Sequence, residues 1–186
     1  MGDASSCVTG LLPVFDAPAT RRVWLVAAHG GAGCSTIYRS APELYADAGR
    51  AFPVPVDGSD PVFVLCAMGS CQGLESLRRL LSEWDRGLLP GVLAGVAVTD
   101  CMPRMPRSLV RGGLQVCSPA PCRWRLPYIA SLPVEGFPDR WPFAYRRMAS
   151  RLEGLPAVAG CPAKPESSGR RIDVTDPNES LLEVVS

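Results

Sequence analysis

Residues 23–36 read VWLVAAHGGAGCST, and this stretch decides the fold. Val23–Ala28 contains no polar side chain. Such an uninterrupted apolar run is the pattern of a strand buried on both faces, as in parallel sheets covered by helices. Gly30, Gly31 and Gly33 follow at once, and Ser35 and Thr36 then open a helical stretch. A strand that runs through glycines into a helix lets consecutive backbone N–H groups turn toward an anion, and the helix start adds partial positive charge.

Outward from this loop the chain alternates between two periodicities. Ser35 to Gly49 reads as a helix with Leu44, Tyr45 and Ala48 inward and with Pro42 limiting its first turns. Val62–Ala67 (VFVLCA) is a second apolar strand. Gln72–Trp84 is the clearest helix: Leu74, Leu77, Leu80, Leu81 and Trp84 recur at steps of three and four, with Glu75, Arg78, Arg79 and Glu83 toward water. Leu93–Thr99 is a third strand, Cys101–Arg111 a Pro/Arg-rich loop, Gly113–Cys117 a short strand, Arg125–Ala130 a fourth main strand and Arg140–Leu152 a helix with Phe143, Met148 and Leu152 inward. Strand–helix alternation with apolar strands predicts an α/β fold, a mostly parallel sheet with helices on both faces. The expected organisation is a flexible leader at 1–21, an α/β domain at 22–155 and a Pro/Ser-rich tail at 156–186, with Leu181–Val185 as a short docking segment or a tail motif.

Bulk properties narrow the function classes. A chain of 186 residues fits one domain. The formal net charge of +1 provides no long-range field for nucleic acid, so direct nucleic-acid binding is not expected. Lys164 is the sole lysine among 19 basic residues. None of the eight cysteines forms a C-x-x-C pair, and His29 is the only histidine, so reduced thiols are expected and no metal site. No apolar run reaches the ~18–20 residues that span a bilayer, and no signal peptide is visible; the expected location is cytoplasmic. Two further features stand out. Arg104, Arg107 and Arg111, with Arg123 and Arg125, are candidates for a basic edge or a solvated loop. Gly69–Gly73 (GSCQG) is a second small-residue turn that could face the first across the carboxyl edge of the sheet.

Here a resemblance enters. His29-Gly30-Gly31-Ala32-Gly33-Cys34-Ser35-Thr36 resembles the deviant phosphate loop of the ParA/MinD-type ATPases, K-G-G-x-G-K-[ST]-[ST], with all three glycines and both hydroxyls in register. It is also similar to the H-G-G-A-G-x-S-T loop of small proteins from actinobacteria and their mobile elements. The resemblance implies a P-loop-like domain, trimmed between the first helix and Val62. It implies a cofactor site at His29, Gly30, Gly31, Ala32, Gly33, Cys34, Ser35 and Thr36, with ATP or another nucleotide as ligand. It further implies a protein partner or homodimer, and a link to DNA segregation or mobile-element transfer.

The departures bear on chemistry. Both lysines of the pattern are absent, replaced by His29 and Cys34. The lysine after the last glycine stabilises the transferring phosphoryl group, and a thiol or thiolate cannot. The strand Val62–Ala67 ends without the carboxylate that would hold Mg²⁺, so the metal is doubtful; Asp57 and Asp60 precede Val62, and Asp100 follows the strand Leu93–Thr99. The residues leave four roles open for the loop: a turn kept for geometry, anion binding without hydrolysis, hydrolysis with a cation from a partner or from Arg39, and Cys34 as a catalytic thiol. A non-hydrolysing scaffold or regulatory domain is the expectation, with no catalytic residues.

Overall fold

The computed structural model describes residues 11–155. The leader residues 1–10 and the tail 156–186 lie outside that range, so the readings placed on them are not addressed by the fold.

The apolar runs form a parallel sheet. Its strands are β2 (Val23–Ala27), β3 (Tyr45–Gly49), β5 (Val62–Met68), β6 (Val92–Thr99) and β7 (Arg123–Leu126), in the order β3-β2-β5-β6-β7. Every neighbouring pair is parallel. A separate parallel pair joins β1 (Val14–Ala17) to β4 (Phe52–Pro55). The helices are α1 (Cys34–Ser40), α2 (Cys71–Asp85), α3 (Arg107–Val116) and α4 (Phe143–Glu153).

The two-residue period of β2 divides the core. Val23, Leu25 and Ala27 face one layer with Ile37 of α1 and Tyr145, Met148 and Leu152 of α4. Trp24 and Val26 face the other, with Leu74, Leu77, Leu80 and Leu81 of α2. The β1–β4 pair packs on this second side: Phe52 meets Phe63 edge-on at 5.0 Å, and Phe15 meets Trp24 at 5.8 Å. The result is a helix–sheet–helix sandwich, the α/β arrangement that the apolar strands predict.

Several elements differ from the sequence reading. The first helix stops at Ser40, and Tyr45–Gly49 is a strand. The cause is Pro42: the residue before a proline is pushed out of the helical region, and Ala41 sits at φ −159°. β3 therefore takes the end of the predicted helix, and β4 lies in the stretch read as trimmed. Val14–Ala17, placed in the leader, is the strand β1, and Leu12 beside it is buried. Arg107–Val116 is helical, which corrects the short strand at 113–117 and the end of the Pro/Arg-rich loop, whose residues 101–106 do lie outside any helix or strand. Gly112 and Gly113 hide that helix, because each glycine lowers helix propensity by ~1 kcal/mol. Phe143 is 68% exposed rather than inward, and Glu83 is buried rather than toward water.

Candidate functional site

Sheet order locates the site before any side chain is considered. From β2 the chain moves by α1 to β3 on one side, while β5 pairs on the other. The order reverses at β2/β5, and in open α/β sheets the crevice outside the carboxyl ends at such a point is where ligands bind. Residues 29–33 leave β2 there, and residues 69–70 leave β5 beside them.

The loop is built on two glycines that no other residue replaces easily. Gly33 precedes α1 with φ +88°, and a Cβ there would stand 3.0 Å from Thr99 Oγ1 at the end of β6. Gly31 also has positive φ, +77°. Gly30 and Gly31 are exposed, and a Cβ on either would meet nothing, so the mouth of the loop is open. Ala32 is buried beneath it.

The side chains around these glycines are occupied within the fold. His29 Nε2 accepts the backbone N–H of Met68 at 3.0 Å, while Nδ1 lies 2.7 Å from the Gly30 carbonyl. Both contacts are hydrogen bonds when Nδ1 carries the proton and Nε2 accepts, and the ring then braces the two loops against each other. Gly73 makes room for it: a Cβ there would fall 2.8 Å from His29 Nε2 and 2.2 Å from the Met68 carbonyl oxygen. The Ser70 hydroxyl caps α2 by accepting the Gly73 N–H at 3.1 Å. The second small-residue turn is thus both a helix start and the partner of the first loop.

Cys34 turns inward. It is buried beside Cys66, and the contact with Cys34, together with complete burial, pushes the Cys66 thiol well above its ordinary range. The Ser35 hydroxyl donates to Asp47 Oδ2 at 3.2 Å, and Asp47 Oδ1 accepts the Gly49 N–H at 2.9 Å. Thr36, half-buried, follows on the first turn of α1. All eight predicted positions therefore lie at one corner of the sheet, but the side chains of His29, Cys34 and Ser35 serve the protein's own contacts.

The carboxylates sort differently from the sequence reading. Asp47, which that reading passed over, is the one that approaches the loop; its signal was A-D-A-G, an Asp two residues before a glycine with φ +59°. Asp57 lies in the turn after β4, where the Ser59 hydroxyl and N–H hold its carboxyl below the usual range. Asp100 is engaged by Arg125 through two bonds of 2.8 and 2.9 Å. Among the described residues, no group of three His, Cys, Asp or Glu could hold a metal ion. Arg39 sits near the far end of α1 with its guanidinium 5.4 Å from the Phe137 ring centre, away from the glycines. A groove of about 1010 Å³ lies elsewhere, between β7 and α4.

No helix among the described residues is long and apolar enough to cross a membrane. No curated protein and no solved structure matches the chain. The resemblance of the loop to ParA/MinD-type ATPases does not extend to membership: neither that family nor another P-loop family is shown, and the match that is found lies with a different family. Eight residues of glycine spacing are too short a signal, because tight strand-to-helix turns demand glycine whatever their lineage. A family model described as "Family of unknown function (DUF6668)" matches residues 21–146, most of the sheet and its helices, and the chain belongs to that family.

Proposed function

We propose that this protein is a non-hydrolysing α/β scaffold or regulatory domain whose loop 29–36 receives a phosphate group weakly, through backbone N–H donors. The occupation of His29, Cys34 and Ser35 within the fold carries this reading. Phosphoryl transfer depends on cations and positioned donors aimed at the developing charge. Here the histidine ring is engaged between two loops, the thiol is buried, and the serine hydroxyl points to a carboxylate. Asp47 beside the loop adds negative charge where a nucleotide's phosphates would lie, which weakens their binding further. Support for an anion comes from the open mouth at Gly30 and Gly31 and from the switch-point position. A nucleotide is one such ligand, and Mg²⁺ has no evident holder. A protein partner or second copy would then read the state of the domain.

The test is turnover. Purified protein with ATP or GTP and Mg²⁺ is expected to release phosphate no faster than a Gly33→Val, Ser35→Ala variant. Turnover by the wild type that disappears in the variant would show a catalytic loop and overturn the proposal.

A further inference from the structure

The edge strand β7 offers a second site, independent of the glycine loop. Parallel pairing points the N–H and C=O of one residue to the same side. The N–H of Val96 bonds to Cys122 O and that of Asp100 to Leu126 O, at 2.9 and 2.8 Å. Cys122, Trp124 and Leu126 therefore face β6, and Arg123 and Arg125 turn their backbone groups to the open edge. That edge borders the groove of about 1010 Å³, whose other wall is α4 with Arg146, Arg147 and Arg151. Among the described residues, no carboxylate lines it. Arg125 is paired with Asp100, but four main-chain groups unpaired among the described residues, beside the exposed guanidinium groups of Arg146, Arg147 and Arg151, are the features that bind an extended, acidic polypeptide as an added strand.

We propose that the groove is filled by this chain's own residues 179–185, ESLLEVV, added to β7 as a further strand. The charge is complementary: residues 172–186 hold Asp173, Asp176, Glu179 and Glu183 and no basic residue. With a two-residue period Glu179, Leu181, Glu183 and Val185 would share one face, so both glutamates would meet the groove from the same side. The chain reaches easily. The described residues end at Leu155, just beyond α4, and the following stretch spans tens of ångströms at ~3.3 Å per residue. Topology fixes the direction. α4 packs on the same face as α1, whereas the crossovers that move outward from β5 to β6 and from β6 to β7 run through α2 and α3, on the other face. A parallel strand outside β7 reached through α4 would make a left-handed crossover, which sheets avoid. The added strand therefore runs antiparallel to β7.

Amide hydrogen exchange on the full chain tests this directly. The amides of Arg123 and Arg125 are expected to be protected in the wild type. They should lose protection roughly tenfold or more when Leu182→Pro removes strand pairing, or when Glu179→Arg with Glu183→Arg reverses the charge. Adding Arg146→Glu and Arg147→Glu to that charge reversal should restore it. Core amides such as Leu65 serve as the folding control and should not change. Unprotected Arg123 and Arg125 amides in the wild type would overturn the proposal. So would protection that rises with protein concentration, which would mean a second copy, or protection that appears only with an added single-stranded oligonucleotide.

Discussion

Replacing His29 by alanine tests the brace that joins the two carboxyl-edge loops. The substitution removes two hydrogen bonds of unequal value. The bond from Nδ1 to Gly30 is exposed, and water replaces it at little cost. The bond from the Met68 N–H is partly buried and comes from the end of an interior strand. Leaving that donor unpaired costs about 1–3 kcal/mol. A loss of about 2 kcal/mol corresponds to a fall in Tm of roughly 4–8 °C for a chain of this size. His29→Lys, which restores the residue of the ATPase loops, should cost at least as much, because an ammonium donates and cannot accept. Urea and thermal unfolding give the stabilities, and exchange of the Met68 amide reports the bond itself. Equal stability of wild type and His29→Ala, with Met68 exchange unchanged, would refute the brace. A His29→Lys variant more stable than wild type would show instead that the loop favours a cation.

Three further outcomes follow from single sites. Gly33→Ala forces a Cβ into positive φ and to 3.0 Å from Thr99 Oγ1, so it should lower stability by about 1–3 kcal/mol in urea unfolding. The Tyr45 hydroxyl is buried with no hydrogen-bond partner, so Tyr45→Phe should be neutral or stabilise by about 1 kcal/mol; a clear loss would reveal a hidden partner. Burial pushes the Cys117 thiol from 9.0 to about 11, with Arg123 opposing. Its folded value lies above its unfolded one, so the stability it contributes is complete below pH 9 and falls as pH rises from 9 to 11. Urea midpoints measured across that window should fall less steeply for Cys117→Ala than for wild type.

Where pattern and packing agree, the sequence announces the structure. β2, β5 and β6 were readable because they are nearly unbroken apolar runs of five residues or more, and α2 because its leucines recur at steps of three and four; tertiary contacts only reinforce them. β3 was not, because Y-A-D-A-G has no β-branched residue and becomes a strand only by pairing with β2. β1 and β4 are four residues each and stabilise one another across a long separation in sequence. The same distinction holds at the site. The glycines were legible because their spacing is local. The brace was not, since His29 and Met68 stand 39 positions apart, and neither was the Ser35–Asp47 bond. The sequence could show which cations were missing, and only the folded contacts show what their replacements do.

A phosphate titration followed by backbone amide NMR tests the central claim most directly. Inorganic phosphate, and then ADP, should shift the amides of Gly30 to Thr36 together, saturating only at millimolar concentration, with the same curve in Mg²⁺ and in a chelator. Shifts confined to that loop, weak and indifferent to metal, are the predicted result. Amides that do not respond to either ligand, or tight binding that requires Mg²⁺, would contradict it.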